Sequence, residues 1–404
     1  MPQPLSYHLQ VCRHFKAQQK TWDFFSAHKT RQSQLNDFKL ELLKNTYKFS
    51  PEADKNIFDK VEMAKAKLGL DHLSVHVYQV QFSDEINASI IYGEGEAHVV
   101  FSGPITKLLN DDELLAVIAH ELSHVRLYTM LDGELEVAGR IITAVANNPN
   151  AALVYYETAR LFRLYTEVFC DRGAFTVLED TTPVITSLVK IATGLNKVSA
   201  ESYLKQAEEI FTAGQETRSN TISHPENFIR ARALHLWHSK NTDAEKEIEK
   251  MIQGKPNLNQ LDIFQQQTLT ALTSRLIQLF LKPKWFQTVP TRSHAKQFFP
   301  QLIMDPSVIL TEDLITQIRE ADSSVKDYLC YLLLDFVLAD PTLELVPFGW
   351  AFQFAEDLQL KENFDAAVKK EFNFSDKKLR AHREKALNAY YEVKESTAEQ
   401  VYQD

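Results

Sequence analysis

The hydrophobic and polar positions of the chain change their period near residue 110. Before that point one amphipathic segment, 50–69, has Ser50 and Pro51 at its start and Gly69 at its end, which predicts a helix. Short runs rich in β-branched and aromatic residues follow and predict a small sheet. These predicted strands are 73–81, 87–92 and 97–103.

From Asn110 onward the apolar spacing is almost entirely helical. Asn110 followed by Glu113 is a capping-box pattern and predicts the start of a long helix. The later predicted helices lie near 133–146, 151–176, 199–213, 226–239, 243–253 and 260–281. The fold class predicted from this pattern is α+β and mostly α.

The same pattern divides the chain into parts. Residues 282–294 contain two prolines and few helix signals and are the best candidate for a linker, whose predicted bounds are 282–304. We therefore expect a helical bundle after it, a compact domain before it and a helical extension at the N-terminus. The predicted parts are an extension over 1–49, a domain over 50–281, a linker over 282–304 and a bundle over 305–404.

Composition narrows the possible partners and compartments. The 404 residues carry 44 basic and 54 acidic side chains, a net charge of −10, without a basic run, so we expect no nucleic acid as a partner. The three cysteines are too few and too scattered for a disulfide framework. No signal peptide and no apolar run long enough for a transmembrane segment can be drawn. A cytoplasmic protein is the expectation.

The sequence "HELSH" at 120–124 carries the candidate chemistry. Positions i and i+4 of a helix share one face, so His120 and His124 can hold one metal ion. Glu121 would lie beside that ion, where a carboxylate can take a proton from an activated water. Zn²⁺, one per chain, suits such ligands. The alternative is a chance string on a buried helix, but two unpaired histidines on an apolar face would be costly.

A third ligand is expected from a later helix. Glu167 and Asp171 are again four residues apart, so Glu167 could bind the metal while Asp171 accepts a hydrogen bond from a ligating histidine. The alternative is a solvated acidic face beside Arg163 and Arg172.

Together, "HELSH", the ExxxD pair and "SHPENFIR" at 223–230 resemble the M48 family of zinc metallopeptidases over roughly residues 50–240. This resemblance implies a zincin-like (gluzincin) core. It also implies zinc ligation by His120, His124 and Glu167, a general base in Glu121, and a supporting role for Asp171 behind the ligands.

The resemblance implies further site residues outside these two helices. His224 and Arg230 match a His-Pro…Arg element, which implies that His224 stabilises the oxyanion with Arg230 near it; the alternative for His224 is an ordinary turn histidine. Asn87 and Ala88 match a substrate-binding strand, where an exposed edge would accept a peptide, or else a plain strand entry.

The C-terminal part has its own weaker resemblance. Its "LLLDFVLADPTLE" is similar to TerB-like domains over less than a hundred residues, although Pro341 replaces a glycine common there. Asp335 and Asp340 are then candidate metal ligands, and the alternative that we favour is surface carboxylates around a packed core.

The function predicted from these features is a zinc-dependent endopeptidase that acts on peptide or protein substrates. The alternative from another class is a catalytically silent scaffold that binds a protein partner through its C-terminal bundle. Hydrolysis of a non-peptide amide stays open because the same site chemistry would serve it.

Overall fold

The structure is a computed structural model that describes residues 1–27, 32–93, 95–213 and 218–397. It contains two compact units, Met1–Gly254 and Lys255–Asp404. Most of the described chain is helical, and one small sheet lies in the first unit. The predicted class, α+β and mostly α, is confirmed.

The sheet has the strand order β1-β2-β4-β3, so β1 and β3 are its edges within the described chain. β2 pairs parallel with β4, and both edge strands pair antiparallel with their neighbours. The strands are β1 (Thr46–Lys48), β2 (Ser74–Val80), β3 (Asn87–Gly93) and β4 (Glu96–Ser102). The predicted strands correspond to β2, β3 and β4. β1 falls in the segment predicted as a helical extension, because three residues are too few to show an alternating pattern.

The first unit surrounds this sheet with helices. They are α1 (Ser6–Lys16), α2 (Gln19–Ala27), α3 (Gln32–Asn45), α4 (Lys55–Leu68), α5 (Ile105–Leu108), α6 (Asp111–Thr129), α7 (Glu134–Ala146), α8 (Leu153–Leu178), α9 (Thr182–Thr193), α10 (Ala200–Thr212), α11 (Asn227–His238) and α12 (Ala244–Gln253). A 3₁₀ turn, Met130–Gly133, joins α6 to α7.

Helix α4 begins at Lys55, four residues later than the sequence pattern predicts from Ser50 as the N-cap and Pro51 as the first position. The Ser50 hydroxyl accepts from the Ala53 amide, and the Asp54 carboxylate accepts from the Ser50 amide, so the chain turns before the helix starts. Gly69 ends the helix as predicted, with a φ of 68° that favours glycine. The polar side chains of the turn capture backbone groups that a longer helix would need.

Two sets of side-chain contacts stabilise the start of α6. Asn110 and Glu113 form the predicted capping box, with both reciprocal hydrogen bonds at 2.9 Å. The same Glu113 carboxylate also accepts a hydrogen bond of 2.7 Å from Lys190 on α9, and both side chains are buried. The cap therefore orients α6 and ties it to α9.

The middle of α6 crosses α8 closely. Gly173 of α8 faces Ser123 of α6, and a β-carbon at position 173 would overlap the Ser123 side chain. Leu68 of α4 approaches the same point. Glycine at 173 is thus needed for the approach of the two helices that carry the candidate site.

The second unit is a helical bundle. Its helices are α13 (Ile263–Phe280), α14 (Val289–Phe298), α15 (Glu312–Glu320), α16 (Ser323–Leu338), α17 (Val346–Asp357), α18 (Lys361–Glu371) and α19 (Asp376–Thr397), with 3₁₀ turns at Lys284–Phe286 and Pro341–Leu343. The Trp350 indole donates to the carbonyl of Phe280 at 2.8 Å, and both rings are buried and stacked.

The predicted boundary near residue 281 differs from the division in the structure, which falls after Gly254. Phe280 lies in the core of the second unit, so α13 belongs to the bundle. The predicted linker 282–304 contains α14, and its residues Phe286 and Ala295 are buried in the same core. Prolines at the starts of these short helices gave the segment its linker-like pattern.

The two C-terminal aspartates have ordinary structural surroundings. Asp335 is exposed on α16, and Asp340 accepts hydrogen bonds from the amide and hydroxyl of Thr342. Asp340 therefore caps the turn that begins at Pro341, which supports a structural role. Among the described residues, no helix has the length and apolar character needed to cross a bilayer.

Buried His8 of α1 predicts an acid-sensitive step in the stability of the first unit. Its Nδ1 accepts from the Leu5 amide and its Nε2 lies 3.3 Å from the Thr166 hydroxyl, and burial lowers its pKa to about 3. Because the unfolded pKa is higher, this contribution to stability is complete above about pH 6.5 and is lost as the pH falls toward the folded value. At pH 5 the loss is about 2 kcal/mol.

The measurement is urea unfolding of the full chain and of His8→Gln at pH 7.5 and pH 5.0. Gln keeps a nitrogen donor near Thr166 but does not titrate. We expect the variant to be less stable at pH 7.5 and to lose about 2 kcal/mol less than the parent on acidification. Equal losses in both proteins would show that His8 is not the titrating group.

Candidate metal centre and cleft

Helix α6 brings three polar side chains to one buried place. His120 and His124 lie on one face, with ring centroids 5.3 Å apart, and Glu121 is buried beside them. The neighbouring α6 positions are apolar and pack into the core of the first unit. The helix is therefore long and well anchored, and its polar side chains have fixed directions.

Glu167 of α8 faces both imidazoles. Its carboxylate lies 3.3 Å from Nε2 of His120 and 3.7 Å from Nε2 of His124, and Nε2 of His224 is 3.4 Å away. Despite this proximity, the buried Oε2 atom of Glu167 has no partner with hydrogen-bond geometry. Three ring nitrogens therefore lie close to a carboxylate whose Oε2 has no hydrogen-bond partner, which is an arrangement suited to a cation.

The far side of His120 is held by Asp171. Nδ1 of His120 lies 3.0 Å from Oδ1 of Asp171, so the Nδ1 proton is donated to the carboxylate and Nε2 faces Glu167. Asp171 in turn accepts two hydrogen bonds of 2.7 Å from the guanidinium of Arg230 on α11. This chain of contacts orients the imidazole from outside the candidate ligand set.

Burial and neighbouring charges give different protonation states to His124, Glu167 and Glu121. Burial lowers the pKa of His124 to about 4, so its imidazole is neutral at neutral pH. Burial opposes the ionisation of Glu167, but the two α6 histidines outweigh it and hold the pKa of Glu167 well below its ordinary value. For Glu121, burial raises the pKa to about 7. The site thus combines a neutral imidazole, a carboxylate anion and a carboxyl group near its midpoint.

Cys170 is a second candidate for the third ligand. Its thiol and the two α6 imidazoles have potential ligand atoms within 4.8 Å of one another. However, the thiol is fully buried, and burial raises its pKa well above the ordinary value, which opposes the thiolate form that binds metal. Glu167 is already ionised and close to both imidazoles, so we favour it. In the sequence Cys170 is three residues from Glu167, but its proximity to the two imidazoles is visible only in the structure.

A cleft of about 350 Å³ opens beside these residues. Glu121 and His120 line it from α6, and Asn87 and Ala88 line it from the edge strand β3. The Asn87 side chain accepts from the Ala88 amide at 2.9 Å, and Asn87 itself is exposed. The cleft therefore joins the candidate metal centre to a free strand edge.

His224 reaches the same cleft from the loop before α11. Its side chain is 57% exposed, and its Nδ1 lies 3.0 Å from the Ser223 hydroxyl. The sequence-based expectation placed Arg230 near His224 to support it. The two short hydrogen bonds of Arg230 go instead to Asp171, so its contacts are those of a positioning residue. A separation of 59 residues between the partners hid this pair from the sequence pattern.

Two comparisons with known proteins find metallopeptidases that resemble this chain. The sequence model of Peptidase family M48 matches residues 51–238, a segment that contains every side chain of the candidate site. The chain is also similar to the plastoglobule-localized metallopeptidase 48, chloroplastic, of Arabidopsis thaliana, with 25% identity over 154 residues. That alignment covers 34% of this chain and 44% of the length of the relative. No solved structure matches the chain.

The segment matched by the family model and the candidate site lie in the same part of the first unit. The matched segment begins just before α4, includes three of the four strands (β2, β3 and β4), α6 and α8, and ends with α11. Over residues 51–238, the chain is similar to Peptidase family M48.

Proposed function

We propose that the protein is a zinc-dependent endopeptidase and that Glu121 acts as its general base. The observation that carries the proposal is the convergence of His120 and His124 on the ionised, buried Glu167, with Glu121 beside them in a cleft. Similarity to a metallopeptidase family supports it.

The donor set fits zinc. Two imidazoles and one carboxylate are the usual protein ligands of catalytic zinc sites, which keep a further position for water or substrate. The unsatisfied Oε2 of Glu167 and the neutral imidazole of His124 are both suited to bind a cation. In this proposal His120, His124 and Glu167 hold one Zn²⁺ per chain.

Bound zinc would polarise the scissile carbonyl and make an attacking water more acidic. Glu121 would accept the proton of that water through its carboxylate and later deliver it to the nitrogen of the leaving amine. Its pKa of about 7 makes both forms accessible near neutral pH. His224 would donate a hydrogen bond to the developing oxyanion from the exposed side of the cleft.

The strand edge supports a peptide substrate cleaved within its length. β3 is seven residues long and has an unpaired edge in the described sheet, so an extended chain could pair along it on both sides of the metal centre. Asn87 and Ala88 would contact this chain. Cys12, Cys170 and Cys330 are buried and unpaired, which supports a reducing compartment such as the cytoplasm.

The role of Glu121 predicts a separation of metal binding from turnover. Glu121→Gln should keep one zinc per chain, because the residue is not a ligand, and should lower peptide hydrolysis by at least about a hundredfold. The measurements are zinc content by mass spectrometry and kcat/KM on an unstructured peptide. Glu201→Gln removes an exposed glutamate and is the control. Retained turnover in a zinc-loaded Glu121→Gln protein would exclude Glu121 as the base.

The third ligand can be identified by a pair of variants. Glu167→Ala should weaken zinc binding by orders of magnitude, because only two protein donors remain. Cys170→Ala should keep one zinc per chain with an affinity close to that of the parent. The measurement is competition with a zinc chelator at fixed pH. The opposite ranking of the two variants would make Cys170 the ligand.

The Asp171–Arg230 pair predicts that stability and metal affinity can be separated. Arg230→Met leaves a buried carboxylate without its partner and should reduce the free energy of unfolding by about 3 to 5 kcal/mol. Adding Asp171→Leu should recover much of that loss. The double variant should still bind zinc about 10- to 100-fold more weakly, because His120 has lost its acceptor. Parent-like zinc affinity in the double variant would show that the pair has only a structural role.

A further inference from the structure

A second cavity of about 530 Å³ lies in the first unit, and we call it the tyrosine pocket. The rings of Tyr92 and Tyr128 stack in its wall, with centroids 6.0 Å apart and planes 16° apart. The other lining residues include Phe25, Glu136, Gly139 and Arg140. The proposed zinc chemistry uses none of these residues.

The tyrosine pocket lies next to the candidate metal centre along both elements that build the cleft. Tyr128 follows His124 by one helical turn on the same face of α6, a rise of about 6 Å. Tyr92 is near the end of β3, whose first residues, Asn87 and Ala88, line the catalytic cleft. An extended chain that pairs with the β3 edge would therefore pass the metal centre and reach the pocket.

The chemistry of the wall favours an uncharged guest. Glu136 and Arg140 form an ion pair of 2.6 Å, and Arg140 also donates to the carbonyl of Phe25 at 3.1 Å. The two charges are thus engaged with each other, and a charged guest would have to compete with one of them. The aromatic rings supply the apolar surface that remains.

The floor of the pocket depends on Gly139. A β-carbon there would lie 3.2 Å from the ring of Phe162 and 3.5 Å from the ring of Tyr128. Without a side chain at position 139, α7 lies close to both rings at the end of α6. Such a mostly apolar concavity with a few polar groups is typical of a binding site.

One wall comes from outside the family-matched segment. Phe25 belongs to α2, which precedes residue 51, where the match begins. Phe25 is half-buried, and the guanidinium of Arg140 lies 6.0 Å from its ring centroid. The N-terminal helices therefore complete a cavity that the matched segment alone would leave open.

We propose that the tyrosine pocket binds a large apolar or aromatic side chain of the peptide substrate. The guest residue would lie about two residues from the scissile bond, because one helical turn corresponds to about two residues of extended chain. This inference rests on the proposed peptidase function and adds a specificity-determining subsite to it.

The test fills the pocket from an exposed position. Ala144 lies on α7, is exposed and lines the cavity, so Ala144→Trp can place an indole inside it, and Ala144→Ser is the matched control without bulk. Both are made in the full-length, zinc-loaded protein. Substrates are unstructured peptides that place Phe or Ala at each position around the cleaved bond. Equal zinc content of the two variants verifies that the metal centre is intact.

For the parent protein we expect Phe to be preferred over Ala by at least about tenfold in kcat/KM at one position near two residues from the cleaved bond. Ala144→Trp should remove this preference and change cleavage of the Ala peptide less than about twofold. Ala144→Ser should keep the preference. A ratio of Phe to Ala that is the same in parent and Ala144→Trp, or a uniform loss for all peptides, would overturn the inference.

A binding measurement separates this inference from the proposed reaction. Fluorescent versions of the same peptides are titrated into Glu121→Gln protein with and without Ala144→Trp. If the Phe peptide binds more tightly than the Ala peptide and Ala144→Trp abolishes that difference, the pocket is supported even when the parent cleaves neither peptide. In that case only the peptidase proposal fails. Cleavage without any Phe preference rejects the pocket alone. If the peptides are neither bound nor cleaved, both proposals are rejected.

Discussion

The buried carboxylate of Asp171 is the constraint on which the site depends. It receives His120 from α6 and Arg230 from α11 while it belongs to α8, so three helices meet at one side chain. Its negative charge is shared between an imidazole and a guanidinium, and burial of that charge is tolerable only with both partners in place. The direction in which His120 presents Nε2 is therefore set by contacts that also hold the fold together.

A second consequence of burial is that the acidic groups of the site have different pKa values. Glu167 and Glu121 lie in the same low-polarity surroundings, yet the pKa of Glu167 is lowered and that of Glu121 is raised to about 7. The difference arises because the imidazoles face Glu167 directly, whereas desolvation dominates at Glu121. Carboxylates with opposite shifts suit a permanent anion and a proton carrier, respectively.

Much of the fold and several residues of the candidate site could be predicted from local sequence patterns. The spacing within "HELSH" and the capping box at Asn110 are short-range signals, and both helices that carry the candidate ligands were predicted from their periodicity. The partner of Arg230, the proximity of Cys170 and the three-residue strand β1 depend on contacts between distant segments. The division after Gly254 was missed because α13 has the same amphipathic pattern whichever unit it joins.

The link between Glu113 and Lys190 has a mechanical consequence. Val184 and Leu188 of α9 line the cleft opposite the edge strand, and the buried pair binds α9 to the first turn of the helix that holds the histidines. Movement of α9 away from α6 would separate two buried charges, which is costly. This wall of the cleft is therefore held to α6 by a contact that includes both the capping box and an ion pair. The position of α9 beside the cleft is thus set by the same carboxylate that fixes the first turn of α6.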